Sequence, residues 1–251
     1  MTDLFPAPRR SLLSLPFFVI TLFLSLSCLR FNYFLAEISV VSDFHFHNPS
    51  LTAKFGTVVT FLFTGGLPIA FLCGVIVDKL RSNYAPEIEK LLKLKESDER
   101  NKAVMWNNAR PAAIVMYIYA IATLVLSCLI LIPVEAVYYV NFVFFLIMRG
   151  FLFTTNSITL FSLFPVAQFG TVFGVESALT GVITCLQYAL LKLQPTYSNI
   201  CALVIALLIF IPPTIIFIMS SKSLKRISRE TVENAKPSSE ISQLDESNNI
   251  S

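Results

Sequence analysis

Long apolar segments separated by short polar ones make up most of this chain. Six of them have about 20 residues or more, enough to cross a hydrocarbon core about 30 Å thick. The six segments are 12–41, 55–77, 111–132, 136–163, 173–193 and 200–219. This pattern predicts an all-α membrane protein with six transmembrane helices, of which the first and fourth are long enough to tilt or to project beyond the bilayer.

The fourth segment carries a cation in the middle of its apolar run. Arg149 stands within Phe-Phe-Leu-Ile-Met-Arg-Gly-Phe, and at this depth a charge costs about 3 kcal/mol or more unless it faces protein or water. Asn156, seven residues later, falls on the same helical face. A Pro- and Gly-containing stretch, 164–174, then ends the helix and starts another. A polar stripe followed by such a turn is typical of a translocation pathway.

Glycine and proline also interrupt the second segment and the connection after it. Gly65, Gly66 and Pro68 predict a break at mid-depth, which requires protein or a wet cavity beside it and could serve as a hinge. In the connection 78–110, Pro86 is well placed to start a short amphipathic helix, which we expect to lie on the inner leaflet.

Composition and charge agree with a polytopic membrane protein. The chain is 55% hydrophobic and 14% charged, too apolar for a soluble domain of 251 residues. Lys and Arg concentrate in 1–11, in 78–110 and after 219, while the opposite connections offer only Lys54 and Lys192. The positive-inside rule therefore predicts that both termini and loop 78–110 are cytoplasmic. The tail 220–251, rich in Ser, Glu and Asn, is predicted to be disordered.

The remaining candidate chemistry argues against several classes of protein. The five cysteines fall inside apolar runs without metal-ligand spacing, and His45 and His47 lack a carboxylate or Cys partner, so no metal site or other cofactor is predicted. No span carries the paired Asp residues or the Ser-His pair of an intramembrane enzyme. No nucleic-acid-binding motif is present. The sequence therefore predicts neither an enzyme nor a nucleic-acid partner.

Two other spans carry polar side chains in patterned positions. Arg30 and Glu37, of opposite charge, are seven residues apart on one face of the first span and could pair indirectly or through a neighbour. In the fifth span, Glu176, Thr180 and Gln187 share a narrow sector, which we expect to face a cavity. The opposite sector consists of the small residues Gly174, Ala178 and Gly181, which predict close packing against another helix. For each polar residue the alternative is structural, namely a group satisfied by a neighbouring helix.

A compact charged motif ends the second span. It reads Gly74-Val-Ile-Val-Asp78-Lys79-Leu80-Arg81. Gly74 would permit close helix approach, Asp78 could accept hydrogen bonds from a helix N-terminus or pair with a cation, and the two cations suit an anionic inner surface. The alternative is an ordinary charged helix end that obeys the positive-inside rule.

With these motifs the chain resembles the major facilitator superfamily, and within it the solute carrier family of equilibrative nucleobase and system-L large neutral amino acid transporters. The resemblance rests on G-x-x-x-D-[RK] at 74–79, on the stretch 149–156, and on F-P-x-x-x-F-G-x-x-x-G at 164–174. It covers 12–219 as six helices in the order of the family's C-terminal half. It thus implies one half of a twelve-span fold.

The resemblance implies facilitative transport by alternating access at the plasma membrane, with purine nucleobases as first choice and large neutral amino acids as second. Aromatic walls with amide edges suit a nucleobase, whereas a zwitterion needs two partners, which Arg149 and Glu176 could supply. Candidate pathway residues are Arg149, Asn156, Gln187, Thr180 and Arg30. Candidate gating residues are Gly74, Asp78, Lys79, Arg81, Phe169, Gly170, Gly174 and Glu176.

A single half leaves a pathway face open to lipid. We therefore expect a truncated form of a longer transporter that lacks its N-terminal six helices, a homodimer, or a regulatory half that pairs with a full-length relative without transporting.

Overall fold

The computed structural model describes residues 4–248, except for the side chains of 39, 41, 45 and 231–248. All regular structure in this range is helical. The helices are α1 Pro8–Leu12, α2 Leu15–Phe46, α3 Pro49–Leu92, α4 Asp98–Leu129, α5 Glu135–Leu163, a 3₁₀ turn Val166–Gln168, α6 Phe169–Thr184, α7 Gln187–Leu190, α8 Pro195–Leu208 and α9 Ile211–Asn248. His45, one of the two histidines considered as metal ligands, has its side chain outside the described part.

Six helical stretches are long and apolar enough to cross a membrane, which confirms the predicted fold class. They are Leu15–Ile38, Pro49–Leu92, Asp98–Leu129, Glu135–Leu163, Val166–Leu190 and Pro195–Glu230. The chain is therefore a multi-pass integral membrane protein. The cytoplasmic placement of both termini and of loop 78–110 stays a prediction.

The six spans are buried very unequally. In its most apolar stretch, the first span is 72% buried, whereas the second and the fifth are each only 17% buried. Helix α2 is central because it packs on α3, α5, α6 and α8, while α4 packs between α5 and α9. One side of the bundle, along α3 and α6, is therefore covered by little else in the described chain.

The predicted break in the second span is wrong, because α3 runs without interruption through Pro68. The nearby glycines serve packing instead. A Cβ at Gly66 would lie 2.8 Å from Arg149 Cγ, and one at Gly65 would lie 3.1 Å from Leu146 Cδ1. From the other side, a Cβ at Gly150 would lie 2.9 Å from the backbone of α3. Glycine thus lets α3 and α5 approach closely.

The helix ends outside the bundle core also differ from expectation. Helix α3 continues through Pro86 to Leu92, so the separate amphipathic helix predicted at Pro86 is wrong. Helix α4 starts at Asp98, where the Ser97 hydroxyl accepts a hydrogen bond from the backbone N–H of Arg100 at 3.2 Å. The non-helical connection therefore shrinks to a few residues.

The last span extends into the predicted tail. Ser220 is fully buried and its Oγ donates to Asn107 Oδ1 on α4 at 2.6 Å, so α9 keeps packing on α4 beyond Met219. Ile227 adds a small cluster with Leu91 and Ala103. The boundary predicted at residue 220 is therefore wrong for 220–230, while the side chains from 231 and residues 249–251 lie outside the described part.

The segment before the first span is tied to the turn between α5 and α6. The Phe5 ring packs on Phe164 with 5.3 Å between ring centroids. Gln168 Nε2 donates to the Phe5 carbonyl at 2.7 Å, and Ser11 Oγ donates to Gln168 Oε1. We refer to these contacts among Phe5, Ser11, Phe164 and Gln168 as the N-terminal tie.

Candidate functional site

Arg149 lies at the middle of α5. Fourteen residues separate it from each end of the helix, Glu135 and Leu163. At 1.5 Å per residue it is about 21 Å from both ends. The sequence places no second charge between these ends, and the apolar neighbours along the chain make α5 a membrane span. The guanidinium is therefore held at mid-depth by the helix itself.

The guanidinium of Arg149 contacts rings rather than an anion. It lies 5.5 Å from the ring centroid of Phe63 on α3 and 5.7 Å from that of Phe153 on α5. The side chain is half-buried, and its Nε is buried without a partner. No described residue forms a hydrogen bond or an ion pair with it. The two Nη groups are thus not engaged by any described residue.

An aromatic floor supports this position. Phe31 of α2 stacks on Phe145 of α5 at 5.1 Å, and Phe63 meets both rings edge-on at 6.4 and 6.2 Å. Phe145 is fully buried, whereas Phe63 and Phe153 are 39% and 49% exposed. We refer to Arg149, Phe63 and Phe153 as the Arg149 site. It combines hydrogen-bond donors with partly exposed aromatic surface.

Asn32 is a polar residue on α2 that the sequence reasoning missed. It is half-buried, and its Nδ2 donates to the Cys28 carbonyl one turn earlier at 2.9 Å. The sequence could have shown it, because Asn32 comes two residues after Arg30 and residues two apart on a helix are rotated by about 200°, to nearly opposite sides. With Arg30 facing the core, Asn32 has to face the other way.

Arg30 and Glu37 form a direct ion pair inside the bundle rather than an indirect one. The Nη1–Oε1 distance is 3.1 Å, and the two side chains are 0% and 1% exposed. Arg30 Nε also donates to Ser127 Oγ of α4 at 3.0 Å. The pair ties α2 to α4 in the core, and a part for Arg30 in a pathway stays a prediction.

Asn156 and Glu176 meet between α5 and α6. Asn156 Nδ2 donates to Glu176 Oε2 at 3.1 Å, and both side chains are buried. Beside them, Thr180 Oγ1 lies 3.1 Å from Ser25 Oγ of α2. Asn156 therefore does not share the open face of Arg149 as its spacing predicted, because α6 closes over that end of α5.

The fifth span is interrupted and open where close packing was predicted. Helix α6 ends at Thr184, and Gln187 starts the next short helix, so the sector shared with Glu176 and Thr180 is broken. Gln187 is half-buried, and its side chain forms no hydrogen bond within the described chain. A Cβ at Gly174 or Gly181 would meet no atom within 4 Å, which contradicts the predicted helix contact.

The predicted gating residues fall into two groups: some have no close neighbour or bond in the described chain, and others pack against a neighbouring residue. A Cβ at Gly74 or at Gly170 would also meet nothing within 4 Å. Asp78 and Lys79 are exposed, and their side chains have no hydrogen bond or ion pair in the described chain. Phe169 stacks on Phe161 with ring centroids 4.3 Å apart.

Arg81 forms a hydrogen bond at the C-terminal end of α5, and does not only face the membrane surface as its sequence motif predicted. Its Nη2 donates to Ser162 Oγ at 2.9 Å, and Asn108 Nδ2 donates to the Ser162 carbonyl at 3.2 Å. A cation is favourable at a helix C-terminus, where backbone carbonyls lack partners. Asn108, which the sequence reasoning passed over, therefore shares this role with Arg81.

Similarity to characterised proteins is partial. Over 150 residues the chain is 26% identical to Equilibrative nucleobase transporter 1 of Bos taurus. The match covers 57% of this chain and 29% of the bovine protein, so the chain corresponds to less than a third of that relative's length. No family model matches the chain. No solved structure matches it either.

Proposed function

We propose that this chain belongs to a facilitative carrier of purine nucleobases that works by alternating access at the plasma membrane. The observation that carries the proposal is the Arg149 site, an unpaired guanidinium at the middle of a span between two partly exposed phenyl rings. The similarity to the bovine nucleobase transporter supports the same solute class.

The open side of the bundle supports a pathway that is completed by a second bundle. A guanidinium facing lipid at the bilayer centre costs about 3 kcal/mol or more. Covering α3 and α6 with six further helices would remove Arg149 from lipid and leave a wet cavity around it. We propose that the second bundle is either an N-terminal half of a longer carrier or a second copy of this chain.

The second copy is testable on the protein alone. The chain purified in mild detergent should run as a dimer by light scattering if it functions by itself. A monodisperse monomer with full uptake activity would contradict the pairing.

Large neutral amino acids are the less favoured solutes. Arg149 could hold an amino acid's carboxylate, but the ammonium would need an acidic partner on the same face. The two carboxylates within the apolar segments point elsewhere, because Glu37 is paired with Arg30 and Glu176 is buried against Asn156. A neutral ring with acceptor atoms needs no such partner.

Uptake measurements distinguish the two solute classes. Cells that lack endogenous nucleobase uptake and express the chain should accumulate radiolabelled purines saturably, with leucine near background. Arg149→Ala should abolish the uptake, while Arg229→Ala, on an exposed part of α9, should leave it unchanged. Surface biotinylation checks delivery of each variant. Leucine uptake without purine uptake would favour the amino acid alternative, and uptake of neither would refute transport of either solute by the chain on its own.

A regulatory half remains the second candidate, and the same open side of α3 and α6 favours it. Such a half would bind a full-length relative and would lower its transport. Co-purification with that relative, in the absence of uptake by the chain alone, would support this alternative over transport.

A further inference from the structure

The Arg149 site presents hydrogen-bond donors and no acceptor of its own. An arginine guanidinium has five N–H donors in a fixed planar fork and cannot accept a hydrogen bond. Its Nε is buried against the protein, and no described residue bonds the two Nη groups, so these are the donors left for a solute. The two phenyl rings add only stacking surface. A solute edge bound at Arg149 must therefore consist of acceptors.

Purines differ at the edge that such a fork can read. Guanine and hypoxanthine present N7 and O6, which are two neighbouring acceptors, whereas adenine presents the N7 acceptor beside an N6 amino donor. An arginine binds the first edge through two parallel hydrogen bonds. Against adenine, one arm of the fork would face another donor, and both groups would lose water without gaining a partner.

The rings of the site do not change this order of preference. Phe63 and Phe153 are partly exposed, and any stacking on them would tolerate every base because every base has a π-face. Neither Phe63 nor Phe153 can donate or accept a conventional hydrogen bond. Discrimination among purines at this position therefore falls to Arg149.

Resting on the proposed nucleobase transport, we infer that Arg149 reads the N7 and O6 edge of a 6-oxopurine, so that this protein prefers guanine and hypoxanthine to adenine. A bidentate arginine contact of this kind is worth a discrimination of about 5- to 150-fold. Since the guanidinium is half-exposed here, we expect the lower part of that range.

Exchanging the hydrogen-bonding pattern at residue 149 tests the inference. The full chain in lipid nanodiscs is titrated with radiolabelled hypoxanthine and adenine, and each is competed with the other. The unaltered protein should bind hypoxanthine at least about 5-fold more tightly. Arg149→Gln should reverse the order, because a carboxamide pairs bidentately with N6 and N7 of adenine. Arg149→Lys should keep the original order, and Arg149→Met should bind both purines equally and weakly.

Two controls keep the outcomes distinct. Arg229→Gln makes the same chemical change on the exposed face of α9 and should not alter the ratio. On the unaltered protein, 7-deazahypoxanthine, which lacks the N7 acceptor, should lose affinity relative to hypoxanthine, and this comparison holds even where a variant fails to fold. Equal affinities together with indifference to the deaza analogue would overturn the inference but leave nucleobase transport standing. A folded protein that neither binds nor transports any purine would overturn both.

Discussion

Replacing Glu37 with leucine should destabilise the bundle by about 3–5 kcal/mol, because it would leave a buried guanidinium without its anion. Arg30 is 0% exposed, and its described polar partners are Glu37 at 3.1 Å and Ser127 at 3.0 Å. After the substitution only the serine hydroxyl remains, and a hydroxyl does not neutralise a charge.

The double variant Arg30→Met/Glu37→Leu should recover most of that loss. Replacing a buried ion pair by apolar side chains of similar size is often neutral or stabilising, because no charge then has to be desolvated. The two single variants should therefore each be less stable than the double variant. Glu89→Leu is the matched control, since Glu89 is 68% exposed in its pair with Lys93 and should change stability little.

The assay is equilibrium unfolding in mixed micelles with increasing SDS. The chain has one tryptophan, Trp106, which is 4% exposed on α4, and its fluorescence reports unfolding of the bundle. A loss below about 1 kcal/mol for Glu37→Leu, or a double variant no more stable than the single one, would refute the reasoning. A double variant that is stable but has lost purine uptake would instead assign the Arg30–Glu37 pair to the pathway.

Two further substitutions test other contacts. Gly150→Ala should lower stability by about 1–3 kcal/mol, because the new methyl group would lie 2.5 Å from Ile69 Cγ2 and force α3 away from α5. Thermal unfolding measures this loss. Gly181→Ala, whose new methyl group would meet nothing within 4 Å, is the control that should not lose stability. Gln168→Ala should release the N-terminal tie and speed limited proteolysis ahead of the first span. Gln187→Ala, which removes a side chain without hydrogen bonds in the described chain, should leave the cleavage rate unchanged. An unchanged rate for both variants would contradict the tie.

Hydropathy predicts the six spans because lipid offers no hydrogen bonds to the backbone, so an apolar segment of sufficient length has to be helical. The same physics explains why the predicted break at Pro68 is wrong. In lipid, breaking the helix would leave several backbone N–H and C=O groups without hydrogen bonds. A proline within an intact helix leaves fewer of them unpaired. The sequence shows Gly66 but does not show that Arg149 packs against it, because that contact depends on how α3 and α5 cross.

The candidate site was predicted in part for a similar reason. Arg149 is evident from a charge in an apolar run. By helical periodicity Asn156 lies on the same face of α5 as Arg149, yet Glu176 of α6 covers it. The periodicity of one helix cannot show where another helix packs against it. Asn32 could have been found from its angle to Arg30, but only after the side of α2 that faces the core was known.

The N-terminal tie has a mechanical consequence. Force applied to the chain ahead of residue 4, by a fused reporter or by an upstream domain, would reach Gln168 at the elbow between α5 and α6 before it reached α2. That elbow joins the helix bearing Arg149 to one of the two least buried spans of the bundle. Tethering at the amino end should therefore alter the tilt of α6 relative to α5, while the central helix itself is left unstrained.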